Sequence, residues 1–88
     1  MEKCKIKIVN KLGLHARPAA MFVQTTSKFK SKIKVIKDDQ EVDGKSIMGL
    51  LMLAAEFGSE LVVKAEGPDE KQVVEAVQKL IMNKFEEE

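Results

Sequence analysis

The chain has 88 residues and a mass of 9.8 kDa, with 44% hydrophobic and 33% charged residues. That ordinary globular balance excludes a disordered tail or a collagen-like chain and leaves room for one core and no second. Fifteen cationic against fourteen acidic residues leave a net charge of +1, with no Trp, no Tyr and four Phe, too little positive charge and too few stacking rings for a nucleic-acid partner.

In chain order, Cys4, Ile6 and Ile8 alternate with Lys3, Lys5 and Lys7, the period of a half-buried strand with its lysines facing water. Cys4 is the only cysteine and reads as a buried strand residue; alone it can form no intramolecular disulfide and no thiolate cluster. Asn10-Lys11-Leu12-Gly13 breaks the alternation with turn residues. Ala19, Phe22, Val23 and Thr26 then recur at helical spacing, which predicts a helix over about 16–27, with Pro18 tolerated in its first turn.

Residues 32–37 alternate again, and Gln40-Glu41-Val42 follows an Asp38-Asp39 turn, so a hairpin with a weak outer strand is expected, its edge protected by lysines. The lysines at 28 to 37 read most simply as a solvated face. Residues 46–57 are apolar at nearly every position, with Gly58 as the stop, predicting a short helix followed by a turn. Residues 60–66 form a β-branched fourth strand ended by Gly67-Pro68. Asp69 and Gln72 have capping-box spacing, and Val73, Val77, Leu80 and Ile81 predict an amphipathic helix to about Phe85. The acidic tail at 86–88 is expected to fray.

The order is βαββαβα, which implies an α+β open-faced sandwich over residues 1–88, a single domain whose four-stranded, largely antiparallel sheet is covered on one face by three helices. No apolar stretch has signal-peptide or membrane-spanning length, so a soluble protein in a reducing cytoplasm is expected, without membrane insertion.

Fourteen of the cations are lysines, and the one arginine, Arg17, stands two residues from the one histidine, His15. If a helix begins at Ala16, His15 is its N-cap, and the backbone amides of Ala16 and Arg17 have no intrahelical acceptor. Helix end and guanidinium together suit an anion such as a phosphoryl group on the imidazole. The imidazole could accept that group as a nucleophile and release it again. The plainer alternative makes His15 a surface cap. No second His or paired Cys completes a metal site, no nucleophile elbow accompanies His15 in a hydrolytic triad, and no cofactor is implied.

Ser46 is placed to cap the second predicted helix. Leu50, Leu53 and Ala54 can face the core, which leaves Ile47, Met48, Leu51 and Met52 either as further core or as an exposed, adaptable docking surface. The sequence leaves both readings open.

At these residues the chain resembles the HPr family, the histidine-containing phosphocarriers of the phosphoenolpyruvate-dependent sugar phosphotransferase system. The resemblance covers essentially the whole chain, and its most specific piece is Gly13-Leu14-His15-Ala16-Arg17-Pro18-Ala19. It implies His15 as the residue phosphorylated at Nδ1 and Arg17 as a phosphate contact. It also implies Enzyme I as donor and the IIA domains of sugar permeases as acceptors, in a carrier rather than a turnover enzyme. Lys45-Ser46-Ile47-Met48-Gly49 resembles the segment that an HPr kinase/phosphorylase modifies on the serine, a form that in some members binds a catabolite-control repressor. A nitrogen-related paralogue keeps the same histidine motif, but Ser46 and Met48 favour the sugar branch; a purely regulatory interaction domain is the remaining alternative. The chain is expected to act as a monomer in transient encounters.

Overall fold

Alternation along four short segments builds the sheet. In a computed structural model that describes residues 1–83, β1 (Glu2–Lys7), β2 (Lys32–Lys37), β3 (Gln40–Asp43) and β4 (Glu60–Glu66) form one sheet in the order β1-β4-β2-β3. Every neighbouring pair is antiparallel. Because side chains alternate across a strand, Cys4, Ile6, Ile33, Val35, Leu61, Val63 and Ala65 all reach the buried face. Lys3, Lys5, Lys7, Lys32 and Lys34 stand exposed on the other. The two-residue turn between β2 and β3 places Asp38 at φ 53, a left-handed conformation that Asp adopts more readily than most residues.

Three helices, α1 (Ala16–Thr26), α2 (Ile47–Met52) and α3 (Glu70–Met82), lie over the buried face. α1 turns Pro18, Ala19, Phe22 and Thr26 inward, and α3 turns Val73, Val77 and Leu80 inward, the stripes expected of one-sided helices. α3 packs on β1 and β4, whereas α1 packs on α2 and α3. Phe22 is the largest fully buried side chain.

The second helix ends earlier than its apolar sequence predicts. Leu53 and Ala54 donate to Leu50 and Leu51 carbonyls three residues back, at 3.2 and 3.1 Å, which tightens and closes the last turn. Ala54 then takes φ 51 and is exposed, and the buried position passes to Ala55. Residues 55–57 therefore leave the helix to meet the loop before α1.

The capping box expected at α3 is not formed, since Asp69 makes no side-chain cap bond. Its carboxylate accepts hydrogen bonds from the Lys30 and Ser31 amides, at 2.9 and 3.0 Å, and from the Ser31 hydroxyl. It thus ties the start of α3 to the entry of β2. Glu70 performs the local task instead, accepting from the Gly67 amide at 3.1 Å and pairing with the Met1 amine at 3.0 Å. α3 ends at Met82 rather than near Phe85, with Asn83 as C-cap; Phe85 and the tail at 86–88 lie outside the described residues.

Candidate functional site

The loop before α1 is pinned from both sides. Gly13 donates to the Asn10 carbonyl at 3.0 Å, and Leu14 donates to the Ala55 carbonyl at 2.8 Å. Gly13 holds φ +74, and a Cβ built there would lie 2.5 Å from the Ala55 oxygen and 3.0 Å from the Glu56 Cα. Only glycine meets both the backbone conformation and the close approach. Leu14 is buried beneath the loop, so His15 follows a fixed backbone.

His15 is the N-cap of α1, with extended backbone at φ −85 and ψ −170. The first intrahelical bond runs from the Ala19 amide to the His15 carbonyl at 2.9 Å. The amides of Ala16 and Arg17 lie ahead of that bond, and Pro18 has no N–H to satisfy. The His15 side chain makes no cap bond to them. Ala16 and Arg17 are both exposed, His15 is half-buried, and its Nε2 atom is buried. A helix N-terminus whose first amides have no intrahelical acceptor, beside an exposed guanidinium, is chemically suited to an anion.

The opposite wall comes from the segment after α2. Leu12, His15, Ala54, Glu56 and Phe57 line an open depression of about 560 Å³. Leu12 is 80% and Phe57 63% exposed, so apolar side chains flank the imidazole on a face too open to enclose a small substrate. The segment is itself braced: the Glu56 amide donates to the Ser59 hydroxyl at 2.9 Å, and the Gly58 amide donates to the Ile8 carbonyl at 2.8 Å.

Ser46 caps α2 as its sequence position predicts, accepting from the Gly49 amide at 3.0 Å. Thr26 at the far end of α1 donates to the Gly44 carbonyl at 2.8 Å, and Lys45 Nζ donates to the Phe29 carbonyl at 2.7 Å. α2 therefore begins beside the C-terminus of α1, and the segment leaving it reaches the His15 end through Ala55. Between these points Ile47, Met48 and Met52 are exposed, Met48 and Met52 each by 68%. Leu51, left open between core and docking surface by the sequence, is half-buried and packs against the core. Leu12 and Phe57 are also exposed, beside His15. Sequence reasoning missed those two because Leu12 sat in a turn and Phe57 in an apolar run assigned to the helix.

Among the described residues, no group of three or more His, Cys, Asp or Glu side chains could hold a metal ion, and no helix is long and apolar enough to cross a membrane. Burial pushes the Cys4 thiol above its ordinary pKa, an inert rather than reactive setting.

The family model for the phosphorylation site of the HPr component of the phosphotransferase system matches residues 2–83. The phosphocarrier protein HPr of Treponema pallidum (strain Nichols) is 49% identical over 83 residues, covering 94% of each chain. The crystal structure of HPr-C-His from Thermoanaerobacter tengcongensis superposes with a TM-score of 0.96 at 51% identity, over 100% of this chain and 99% of that one. An HPr dimer from the same organism gives 0.78 at 50% identity, over 97% and 98%.

Proposed function

This chain belongs to the HPr family, phosphocarriers of the phosphotransferase system and not turnover enzymes, and from that premise we propose that His15 is the residue that carries the phosphoryl group. The observation that carries this reading is the open start of α1: the imidazole stands at the N-cap without capping it. Its lone pair forms an N–P bond as the phosphorus–donor bond breaks and that electron pair returns to the donor. No proton need move, because the attacking nitrogen is the one without hydrogen. Burial of Nε2 supports Nδ1 as that nitrogen. The Ala16 and Arg17 amides and the Arg17 guanidinium offer donors for the phosphoryl oxygens, stabilising charge where it gathers.

The donor is Enzyme I, charged from phosphoenolpyruvate in the cytoplasm, and the acceptors are IIA domains of sugar permeases. Ile47, Met48 and Met52, with Leu12 and Phe57 at the His15 end, supply an apolar docking face that different partners use in turn. Thioether side chains adapt to several surfaces. The Ser46 and Met48 pair favours this sugar branch over a nitrogen-related system.

Ser46 is the regulatory site, modified by an HPr kinase/phosphorylase. Its hydroxyl oxygen already accepts from Gly49, so a phosphate ester keeps an acceptor there and α2 needs little refolding. The added charge lies beside Ile47 and Met48, where it weakens Enzyme I docking and creates an acidic mark that a catabolite-control repressor can read.

The working unit is a single chain in transient encounters, with a second copy, as in the dimer of the Thermoanaerobacter relative, as the alternative. Sedimentation at working concentration decides between them. For the carrier role itself, phosphoenolpyruvate and Enzyme I should add one acid-labile phosphoryl group to the wild type and none to His15→Ala. An unchanged label in that variant would reject His15.

A further inference from the structure

A second charged feature lies on the open face of the sheet. Lys32 and Lys34 share that face of β2, and Lys30 precedes them at the same spacing. In the register, Lys34 stands opposite Lys64 of β4, and Lys64 stands opposite Lys3 of β1. Three lysines therefore cross three adjacent strands in one row. Neighbouring strands lie about 4.8 Å apart, and like charges directly opposite one another destabilise a sheet. The row concentrates positive charge on the open face of the sheet.

Carboxylates of the chain lie near it without closing an ion pair: Glu41 and Glu66 line one depression with Lys32, Lys34 and Lys64. Among the described residues, the ion pair formed is that of the Met1 amine with Glu70. Asp43 stands opposite Lys34, but its Oδ1 accepts from the Lys45 amide at 2.9 Å. Glu66 stands opposite Lys32 and Glu41 opposite Ile36, flanking the row without closing a pair with it.

Beside the row, at the start of β2, lies a depression of about 370 Å³ walled by Lys30, Ser31, Lys32, Lys34, Asp43 and Lys45. Four lysines and one aspartate line it. The wall is braced, since Lys45 Nζ is held by the Phe29 carbonyl and the Lys30 and Ser31 amides are held by Asp69.

We infer that this lysine-walled depression binds a compact polyanion of phosphate type, one bearing two or more negative charges. Its volume falls within the range of about 300–1,000 Å³ typical of small-ligand sites. Lysines bind phosphate as point charges without the planar matching that arginine supplies. A long nucleic acid fits less well: the chain's net charge is only +1, and no aromatic side chain lines the depression to stack a base. The site lies at the β2–β3 edge and uses none of the residues around His15, so it stands or falls independently of the carrier role.

Amide chemical shifts of the full chain titrated with inorganic pyrophosphate test it, alongside a phosphoserine peptide that distinguishes a free ligand from a phosphate borne by a partner chain. Saturable shifts confined to residues 30–34 and 43–46 are expected for at least one probe. Lys32→Gln/Lys34→Gln should weaken that binding about tenfold or more, as expected when charge-assisted phosphate contacts are removed. Lys5→Gln/Lys7→Gln, on the same face but outside the depression, should leave it within about twofold. Whichever probe gives saturable shifts should also raise the melting temperature of the wild type and not of Lys32→Gln/Lys34→Gln, a readout that does not depend on where shifts appear. Non-saturable shifts spread over all lysines, or equal weakening in both double variants, would overturn the site.

Discussion

The Leu14 amide donates to the Ala55 carbonyl at 2.8 Å, and that bond joins the loop that carries His15 to the segment that leaves α2. Its consequence is a shared surface. The loop that carries the imidazole and the segment that follows the second helix are tied to each other by this backbone contact. Gly13 permits the contact, because a side chain there would collide with the same carbonyl.

Gly13→Ala is accordingly expected to destabilise the fold by about 1–3 kcal/mol, from a strained left-handed residue and the clash with Ala55. It should also slow phosphoryl transfer through a displaced His15. Urea unfolding and the rate of labelling, measured on the same preparation, check both effects; an unchanged rate in a destabilised variant would separate the loop from the chemistry.

Met48 and Leu51 should behave differently despite their adjacent positions on α2. Met48→Asp is expected to stay within about 0.5 kcal/mol of wild-type stability, as exposed positions do, while raising the KM of Enzyme I for this protein. Leu51→Asp should destabilise the fold, because its side chain packs against the core. Thermal melts paired with Enzyme I kinetics distinguish the two.

Ser46→Ala removes the cap of α2 and should cost about 1 kcal/mol, measurable by denaturant midpoint. The same variant should lose acid-stable labelling by an HPr kinase/phosphorylase. Retained label there would move the regulatory site elsewhere.

Acid sensitivity should trace to Asp69. Its carboxyl is held below the usual carboxylate range by the Ser31 hydroxyl first and then the Lys30 amide. A lowered folded pKa favours the native state above the unfolded value of about 3.9, and that contribution is lost as pH falls through the lower folded value. Asp69→Asn should therefore destabilise the protein at neutral pH and flatten the acid limb of its stability profile. A profile that keeps the wild-type acid slope would assign the titration to another group.

Much of this architecture was legible in the sequence because its periods are simple. The alternation of isoleucine with lysine in β1 and β2 and the helical spacing of Ala19, Phe22 and Thr26 each follow from one element facing one core. What was not legible depends on contacts between distant segments. α2 stops at Met52 and Ala55 beyond it meets Leu14, and no local signal marks that end. Asp69 has the spacing of a capping residue but is engaged by Lys30 and Ser31, far away in sequence. The site divides in the same way: the lone histidine beside the lone arginine was visible at once, whereas the exposure of Leu12 and Phe57 and the row of Lys3, Lys64 and Lys34 required the fold and its register.

Phosphorylation of wild type and His15→Ala by Enzyme I and phosphoenolpyruvate, followed by intact mass and acid lability, tests the central claim most directly. A thermal melt of His15→Ala is measured on the same preparation, so that the label is scored on folded protein. The wild type should gain a single acid-labile phosphoryl group and the folded variant none. A folded His15→Ala protein that still takes up an acid-labile phosphoryl group would contradict the claim.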